Sequence, residues 1–245
     1  ILRDPVFRLI AAAIALYACV AASIYPYLSL IAVKRIGLSE PTLALVLALA
    51  SATAVTTSVA MGILADQSGN RRVIALVTVG GFALGTALLW LWPTPASAAL
   101  AYGLFLPVGS AIMGQTFALN MLASQAHPER REALQATMRA LLSAAYLMML
   151  LFWSWGLGAG GFDVMAVFVP ALLASLLLMA LIWRHWPRPG AARWEDRPSG
   201  VNLRQALTEL MHPAMAARLL CMGAVGGLPM LYVILTPLLF AEAPS

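Results

Sequence analysis

The sequence predicts an all-α membrane protein with seven membrane-spanning helices. The chain of 245 residues is 62% apolar and 10% charged, whereas an average soluble domain is about 25% charged. Its apolar residues form runs of about 20 or more, each long enough to cross a bilayer core of roughly 30 Å as a helix. Because the runs are continuous and do not alternate every second residue, they exclude a β-barrel.

The apolar runs divide the chain into two predicted bundles. Short polar loops separate the first six spans, and one long polar segment rich in proline, glycine and mixed charge precedes the seventh, as in a linker. We expect a six-helix bundle over 1–183, a cytoplasmic linker over 184–213 and the first helix of a truncated second bundle over 214–245. The chain starts at Ile1 and stops just after the seventh run, so we expect the natural protein to continue. The predicted spans are 9–33, 42–65, 73–92, 98–122, 134–157, 164–183 and 214–240.

Charge predicts the orientation of the spans. With the N-terminus in the cytoplasm, 13 of the 15 basic residues fall on the cytoplasmic side and only Lys34 and Arg35 on the other, as the positive-inside rule requires. The net charge of +5 therefore reports topology and does not indicate nucleic-acid binding. Six tryptophans at the ends of spans are typical of interfacial anchors: Trp90, Trp92, Trp153, Trp155, Trp183 and Trp186.

The loop between the second and third spans has an unusual composition, reading Gly62-Ile-Leu-Ala-Asp66-Gln-Ser-Gly69-Asn-Arg71-Arg72. This pattern resembles the corresponding loop of major facilitator superfamily transporters: glycine, three residues, aspartate, two residues, glycine, then basic residues. The resemblance implies a twelve-span fold, of which seven spans are present here. Asp66 can pair with Arg71, with Arg72 or with a neighbouring helix end, and such a pair can latch one conformation of a rocking transporter.

A second, narrower resemblance covers residues 5–186 in order. Gly109-Ser110-Ala-Ile-Met-Gly-Gln115-Thr-Phe-Ala-Leu, Met138-Arg139-Ala-Leu-Leu-Ser143 and Pro26-Tyr27-Leu-Ser-Leu are similar to segments of the sugar efflux transporter family. The resemblance implies export of sugars or small neutral glycosides across a bacterial inner membrane. A neutral polyol calls for amide and hydroxyl groups and for an aromatic ring to stack on. The candidate substrate-binding or gating residues are Tyr25, Tyr27, Ser110, Gln115, Arg139, Ser143 and Tyr146.

Five of these seven candidate residues have an alternative role. Each tyrosine could instead anchor a span at the membrane interface, and Gln115, near the end of its span, could belong to a gate. Arg139 is the one ionisable residue placed clearly within a span, five residues beyond Leu134. An intramembrane arginine is a functional candidate, although an arginine near a helix end can also extend to the membrane surface.

All ten acidic residues lie in loops or at span ends. No carboxylate stands in mid-membrane to carry a proton or to face a cationic drug, so a proton site would be Asp66 or a residue beyond 245. A multidrug/proton antiporter of the same superfamily is the alternative function, and a transport-inactive sensor stays open. The expected partners are the lipid bilayer, a sugar-like or drug-like small molecule and protons.

An enzyme is the remaining class, and the sequence argues against it. His127, His185 and His212 all lie in loops and are not at ligand spacing with cysteines or carboxylates. Cys19 and Cys221 both lie inside apolar runs and are best interpreted as small core residues. We therefore expect no catalytic residues, no metal, no cofactor and no nucleic acid.

Overall fold

Six long helices make up the part of the chain that the structure describes. The computed structural model describes residues 4–126 and 128–188 and the isolated positions 208, 212, 213 and 217. The six helices are long and apolar enough to cross a membrane, and these described residues include no strand, which confirms the all-α prediction. The seventh predicted span, 214–240, and most of the predicted linker lie outside the described residues. The helices are α1 (Pro5–Arg35), α2 (Glu40–Ser68), α3 (Arg71–Leu91), α4 (Pro95–Ala123), α5 (Pro128–Leu157) and α6 (Val164–His185).

Most of the helices extend beyond their apolar runs because polar side chains cap them. Ser39, Asn70 and Thr94 accept hydrogen bonds from backbone amides in the first turns of α2, α3 and α4, which satisfies donors that a helix start leaves unpaired. Asp4 does the same for α1 and Asp163 for α6. The bounds predicted from hydropathy were wrong by two to four residues at these capped starts of α1 to α4, and by six at the start of α5, where a 3-10 turn over Pro128–Arg130 extends the helix without a side-chain cap. The number and order of these six spans were right.

Helix α1 lies centrally and packs against α4, α5 and α6, while α3 packs against α4 and α6. Helix α2 packs against α3 and α4. The result is a bundle in which α1, α3 and α4 are buried along most of their central turns, whereas α2 and α5 are exposed along most of theirs. Connections α2–α3 and α4–α5 lie at one end of the bundle, called here the α2–α3 end. The other three connections lie at the opposite end, called here the α1–α2 end.

Glycines allow α3 and α4 to approach closely. A Cβ atom on Gly81 would lie 2.7 Å from the carbonyl oxygen of Phe105, and one on Gly109 would lie 2.6 Å from Cγ of Phe82. Both distances are too short for any side chain, so the two helices pack backbone against backbone here. Small residues serve this purpose between membrane helices, where van der Waals contact drives association.

A hydrogen bond and a contact between two sulfur atoms join α1 to α5. Trp153 Nε1 donates to Ser23 Oγ at 2.9 Å, and Cys19 Sγ lies 3.8 Å from Met149 Sδ. Trp153 is only 2% exposed and Trp186 only 3%. The prediction that these two tryptophans are interfacial anchors was wrong, because both side chains are packed inside the bundle. Trp90, Trp92, Trp155 and Trp183 are exposed, as an interfacial position requires.

Candidate functional site

The loop between α2 and α3 makes a tight turn. Gly69 ends α2 in the left-handed conformation, with φ of 61°, and its amide donates to the carbonyl of Ala65 at 3.2 Å. Glycine is favoured there because a Cβ atom makes this conformation costly. Asn70 follows and accepts from the amide of Val73, so that α3 begins at Arg71. The turn therefore places the carboxylate at the end of α2 close to the two arginines that start α3.

Asp66 pairs with Arg71 across this turn. The distance from Arg71 Nη2 to Asp66 Oδ1 is 2.6 Å, and the Arg71 side chain is 13% exposed while that of Asp66 is 43% exposed. Of the three partners that the sequence left open for Asp66, the structure selects Arg71. The arginine is mostly withdrawn from water, so the ion pair holds a charge that would be costly to leave unpaired.

Arg72 takes a different partner. Its Nη2 donates to the backbone carbonyl of Trp183, near the end of α6. The last carbonyls of a helix lack partners within the helix and carry partial negative charge, so an arginine is a favourable partner for them. The two adjacent arginines thus join three helices: Arg71 holds α3 to α2, and Arg72 holds α3 to α6.

A second ion pair lies at the α1–α2 end, and sequence reasoning did not find it. Arg35 Nη2 lies 2.6 Å from Asp163 Oδ2, with both side chains about half exposed. Asp163 also accepts from the amide of Met165, which caps α6. The two partners are 128 residues apart, so no local pattern in the sequence indicated the pair.

Tyrosines from α1 and α5 come together. The hydroxyl groups of Tyr25 and Tyr146 lie near enough to interact electrostatically, as do those of Tyr27 and Tyr146. Pro26 lies between the two α1 tyrosines, in a turn of 3-10 helix over Tyr25–Tyr27. The structure therefore brings together the three tyrosines that the sequence selected on two separate helices.

Tyr17 belongs to the same group, although sequence reasoning missed it. Its hydroxyl lies near enough to those of Tyr25 and Tyr146 for electrostatic coupling, without a hydrogen bond to either in the described structure, and its ring meets the ring of Phe82 on α3 edge to face at 5.8 Å. Tyr17 stands eight residues before Tyr25, a spacing that places two residues on one helix face. That spacing was the available signal. We call Tyr17, Tyr25, Tyr27 and Tyr146 the tyrosine cluster.

Arg139 and Ser143 lie on the same helix as Tyr146. The spacing 139, 143 and 146 places the three side chains along one face of α5, with Arg139 about 10 Å from Tyr146 at helical rise. Arg139 and Ser143 are both exposed, and Arg139 makes no ion pair or hydrogen bond within the described part of the chain. Its charge is therefore available to a group that this part of the bundle does not provide.

The two candidate residues on α4, Ser110 and Gln115, make their hydrogen bonds away from the tyrosine cluster. Ser110 Oγ donates to the carbonyl of Pro107 in its own helix at 2.6 Å. Gln115 is buried, and its Nε2 donates to the carbonyl of Met61 on α2 at 3.3 Å, five residues before Asp66. Neither makes a hydrogen bond to the tyrosine cluster in the described structure. The contact of Gln115 favours the alternative that it acts beside the α2–α3 loop.

No three His, Cys, Asp or Glu side chains come together as metal ligands within residues 4–126 and 128–188. His127 and Cys221 lie outside the described residues, while Cys19 is a free thiol in the α1–α5 contact. The chemistry that the described candidate site offers is therefore hydrogen bonding, aromatic stacking and one unpaired cation.

Comparison with known proteins adds one finding. A family model described as Major Facilitator Superfamily matches residues 10–243, a range that includes the α2–α3 loop, the tyrosine cluster and Arg139. No curated protein and no solved structure matches the chain.

Proposed function

This chain belongs to the Major Facilitator Superfamily of secondary transporters, and within that family we propose that it exports sugars or small neutral glycosides by alternating access. It is a multi-pass membrane protein. The proposed orientation places the N-terminus and the α2–α3 end in the cytoplasm, in a bacterial inner membrane. The proposed architecture is a bundle over 1–183, a cytoplasmic linker over 184–213 and the start of a second bundle over 214–245.

The ion pair at the α2–α3 end is the observation that carries the mechanism. The Asp66–Arg71 pair, at 2.6 Å, and the bond from Arg72 to α6 hold three helices in one arrangement. A rocking transporter has to exchange such contacts when it opens to the other side. We propose that Gly62, Asp66, Gly69, Arg71 and Arg72 form the latch of one conformation, with Gln115 bracing α2 beside it.

The tyrosine cluster supports the proposed substrate class. Its rings offer faces on which a sugar ring can stack, and its hydroxyls offer both donors and acceptors. No carboxylate belongs to the cluster as described, so the site has no fixed negative charge to attract a cationic drug. We propose that Tyr25, Tyr27 and Tyr146 contact the substrate, together with Ser143 and Arg139 on the exposed face of α5 and Ser110 on α4.

Proton coupling requires a group that binds and releases a proton during transport. The carboxylates of the described residues stand at helix ends or in loops, at Asp4, Glu40, Asp66, Glu129, Glu132 and Asp163. A proton carrier in mid-membrane is therefore not found among them. We propose Asp66 as the group whose protonation would release the latch.

The test uses full-length protein in inside-out membrane vesicles that hold a pH gradient. A panel of sugars and, separately, lipophilic cations are added while the gradient is monitored. Collapse with sugars only is the expected result and would establish proton-coupled sugar export. Collapse with cations only would make the protein a drug antiporter. If neither collapses the gradient, flux of a labelled sugar into the same vesicles would identify uncoupled transport, and its absence would contradict the proposal.

A further inference from the structure

We propose that the outer face of α3 and α6 binds an anionic phospholipid, with its phosphate held by arginines at the α2–α3 end and its acyl chains lying along two apolar stripes. This site is separate from the tyrosine cluster and does not depend on which substrate is transported.

Uncompensated arginines lie where the two helices meet at the α2–α3 end. Arg184 and Arg188, at and just after the end of α6, are exposed and make no ion pair in the described structure. Arg72 bonds to the carbonyl of Trp183, which is a neutral group, so its charge is not cancelled as that of Arg71 is by Asp66. This corner of the bundle therefore carries an excess of positive charge.

The end of a helix would ordinarily repel an anion. The last carbonyls of α6 carry partial negative charge. Arg72 occupies the carbonyl of Trp183 and so offsets that charge at the place where a phosphate would lie. The Nε atom of Arg72 is buried and without a hydrogen-bond partner in the described structure. Arg72 therefore reduces the repulsion between the end of α6 and an anion, while Arg184 and Arg188 are exposed and can contact the anion.

Apolar side chains continue from this corner along both helices. Val73, Val77 and Leu84 are exposed on α3, and their spacing of four and seven residues places them on one face. The stripe rises about 16 Å from Val73 to Leu84, close to half of a bilayer core of roughly 30 Å. The stripe thus matches the length of the acyl chains in one leaflet.

A second stripe lies on α6, which packs against α3. Leu173, Leu176 and Trp183 are exposed there, and their spacing of three and seven residues places them on one face. Gly80, on α3, would have no atom within 4 Å of an added Cβ, which leaves open space beside the α3 stripe. Trp183 is 64% exposed and lies between the arginines and the apolar stripes, at the depth where indole rings favour the headgroup region.

The excess positive charge is confined to one end of these two helices. At the α1–α2 end, α3 finishes in exposed Leu91 and Trp92, and α6 is preceded by Asp163, which pairs with Arg35 of α1. Any lipid can lie on the apolar stripes, but among the described residues of α3 and α6 only the α2–α3 end has cations without an ion-pair partner. Charge complementarity therefore selects an anionic headgroup in the leaflet at the α2–α3 end.

Quenching of tryptophan fluorescence by brominated lipid tests the site directly. The full-length protein is reconstituted in phosphatidylcholine vesicles that contain either brominated phosphatidylglycerol or the same fraction of brominated phosphatidylcholine. The difference between wild type and Trp183→Phe isolates quenching at Trp183 from that at the other tryptophans. We expect Trp183 to be quenched more by the anionic lipid, and Arg184→Gln with Arg188→Gln to reduce that preference by roughly fivefold for each arginine.

The matched control is Arg130→Gln with Arg131→Gln, which removes two exposed charges at the same end of the bundle but on α5. The proposal is overturned if the control abolishes the preference as fully as the α6 variant, because the effect would then be general surface charge. It is equally overturned if the α6 variant keeps the preference. Inorganic phosphate that abolished the preference, where sodium chloride of equal ionic strength did not, would identify a free phosphate site and contradict a lipid.

Discussion

The two ends of the bundle hold ion pairs of the same length in different surroundings. At the α2–α3 end, Arg71 lies 2.6 Å from Asp66 and its side chain is 13% exposed. At the α1–α2 end, Arg35 lies 2.6 Å from Asp163, with side chains 50% and 53% exposed. The first pair is accompanied by the bond of Arg72 to α6, whereas the second joins the end of α1 to the start of α6.

Distance alone does not rank these two ion pairs. A half-exposed pair is screened by solvent and is worth at most about 1 kcal/mol. A pair with one partner mostly buried holds a charge that water solvates poorly, so breaking it costs more than breaking an exposed pair. The α2–α3 end is therefore the one where making and breaking a contact can separate two conformations.

Asp66→Asn is the variant that we expect to have the largest effect. It removes the charge that Arg71 requires but keeps the size of the side chain. Transport should fall by about tenfold or more, which corresponds to about 1.4 kcal/mol, while membrane insertion is retained. The measurement is the initial rate of substrate flux in proteoliposomes, with the amount of inserted protein determined in parallel.

Asp163→Asn is the matched control, since asparagine keeps the size of the side chain and can still cap α6. We expect its flux to stay within about twofold of wild type, because the pair that it breaks is half exposed. Equal losses in the two variants would mean that the two ion pairs contribute alike to transport, and unaltered flux in Asp66→Asn would remove the latch from the proposal.

Arg139→Ala tests a charge that belongs to neither end of the bundle. Arg139 has no partner within the described structure, so its loss should change thermal stability by less than about 0.5 kcal/mol. If it contacts the substrate, flux should fall about fivefold, mainly through a raised KM, as the loss of one hydrogen bond predicts. Thr137→Ala, an exposed neighbour on the same helix, is the control. Normal flux in Arg139→Ala would mean that this arginine only extends to the membrane surface.

The sequence predicted the spans well because hydropathy is a property of each segment alone. It could not predict their burial in the same way. Helices α1 and α2 have nearly equal mean hydropathy, 2.0 and 1.9, yet 61% of the α1 window is buried and only 11% of the α2 window. In a membrane, lipid and protein are both apolar surroundings, so hydropathy does not distinguish a central helix from a peripheral one.

The contacts of the candidate site also differ in whether the sequence could predict them. The Asp66–Arg71 pair could be anticipated because its members are five residues apart in a turn with a recognisable glycine. The Arg35–Asp163 pair, the bond of Arg72 to Trp183 and the contact of Trp153 with Ser23 each join residues more than 100 positions apart. Such contacts depend on which helices are neighbours, and one sequence without that information does not reveal them.

Ser23→Ala tests the contact that keeps α1 and α5 together between the two ends. Ser23 Oγ accepts from the buried indole of Trp153, so the variant leaves that N–H without a partner, at a cost of about 1–3 kcal/mol. Thermal unfolding should shift downward accordingly, whereas the exposed Ser154→Ala should leave it unchanged. Combining Ser23→Ala with Trp153→Phe removes donor and acceptor together. The double variant should therefore lose less stability than the sum of the losses in the two single variants. Strict additivity of the two variants would show that the bond contributes nothing.

Two glycines of the proposed latch, Gly62 and Gly69, give the smallest and most discriminating test. Gly69 requires positive φ, so Gly69→Ala should lower the free energy of unfolding by about 1 kcal/mol. Gly62 is helical and would have no atom within 4 Å of an added Cβ, so Gly62→Ala should raise it by about 0.5–1 kcal/mol. If Gly62 belongs to the latch, its smallness matters in the opposite conformation, where another helix approaches it. Gly62→Ala should then slow transport severalfold while raising the unfolding temperature. A stabilised variant with undiminished flux would exclude Gly62 from the latch and leave Asp66 and Arg71 to act without it.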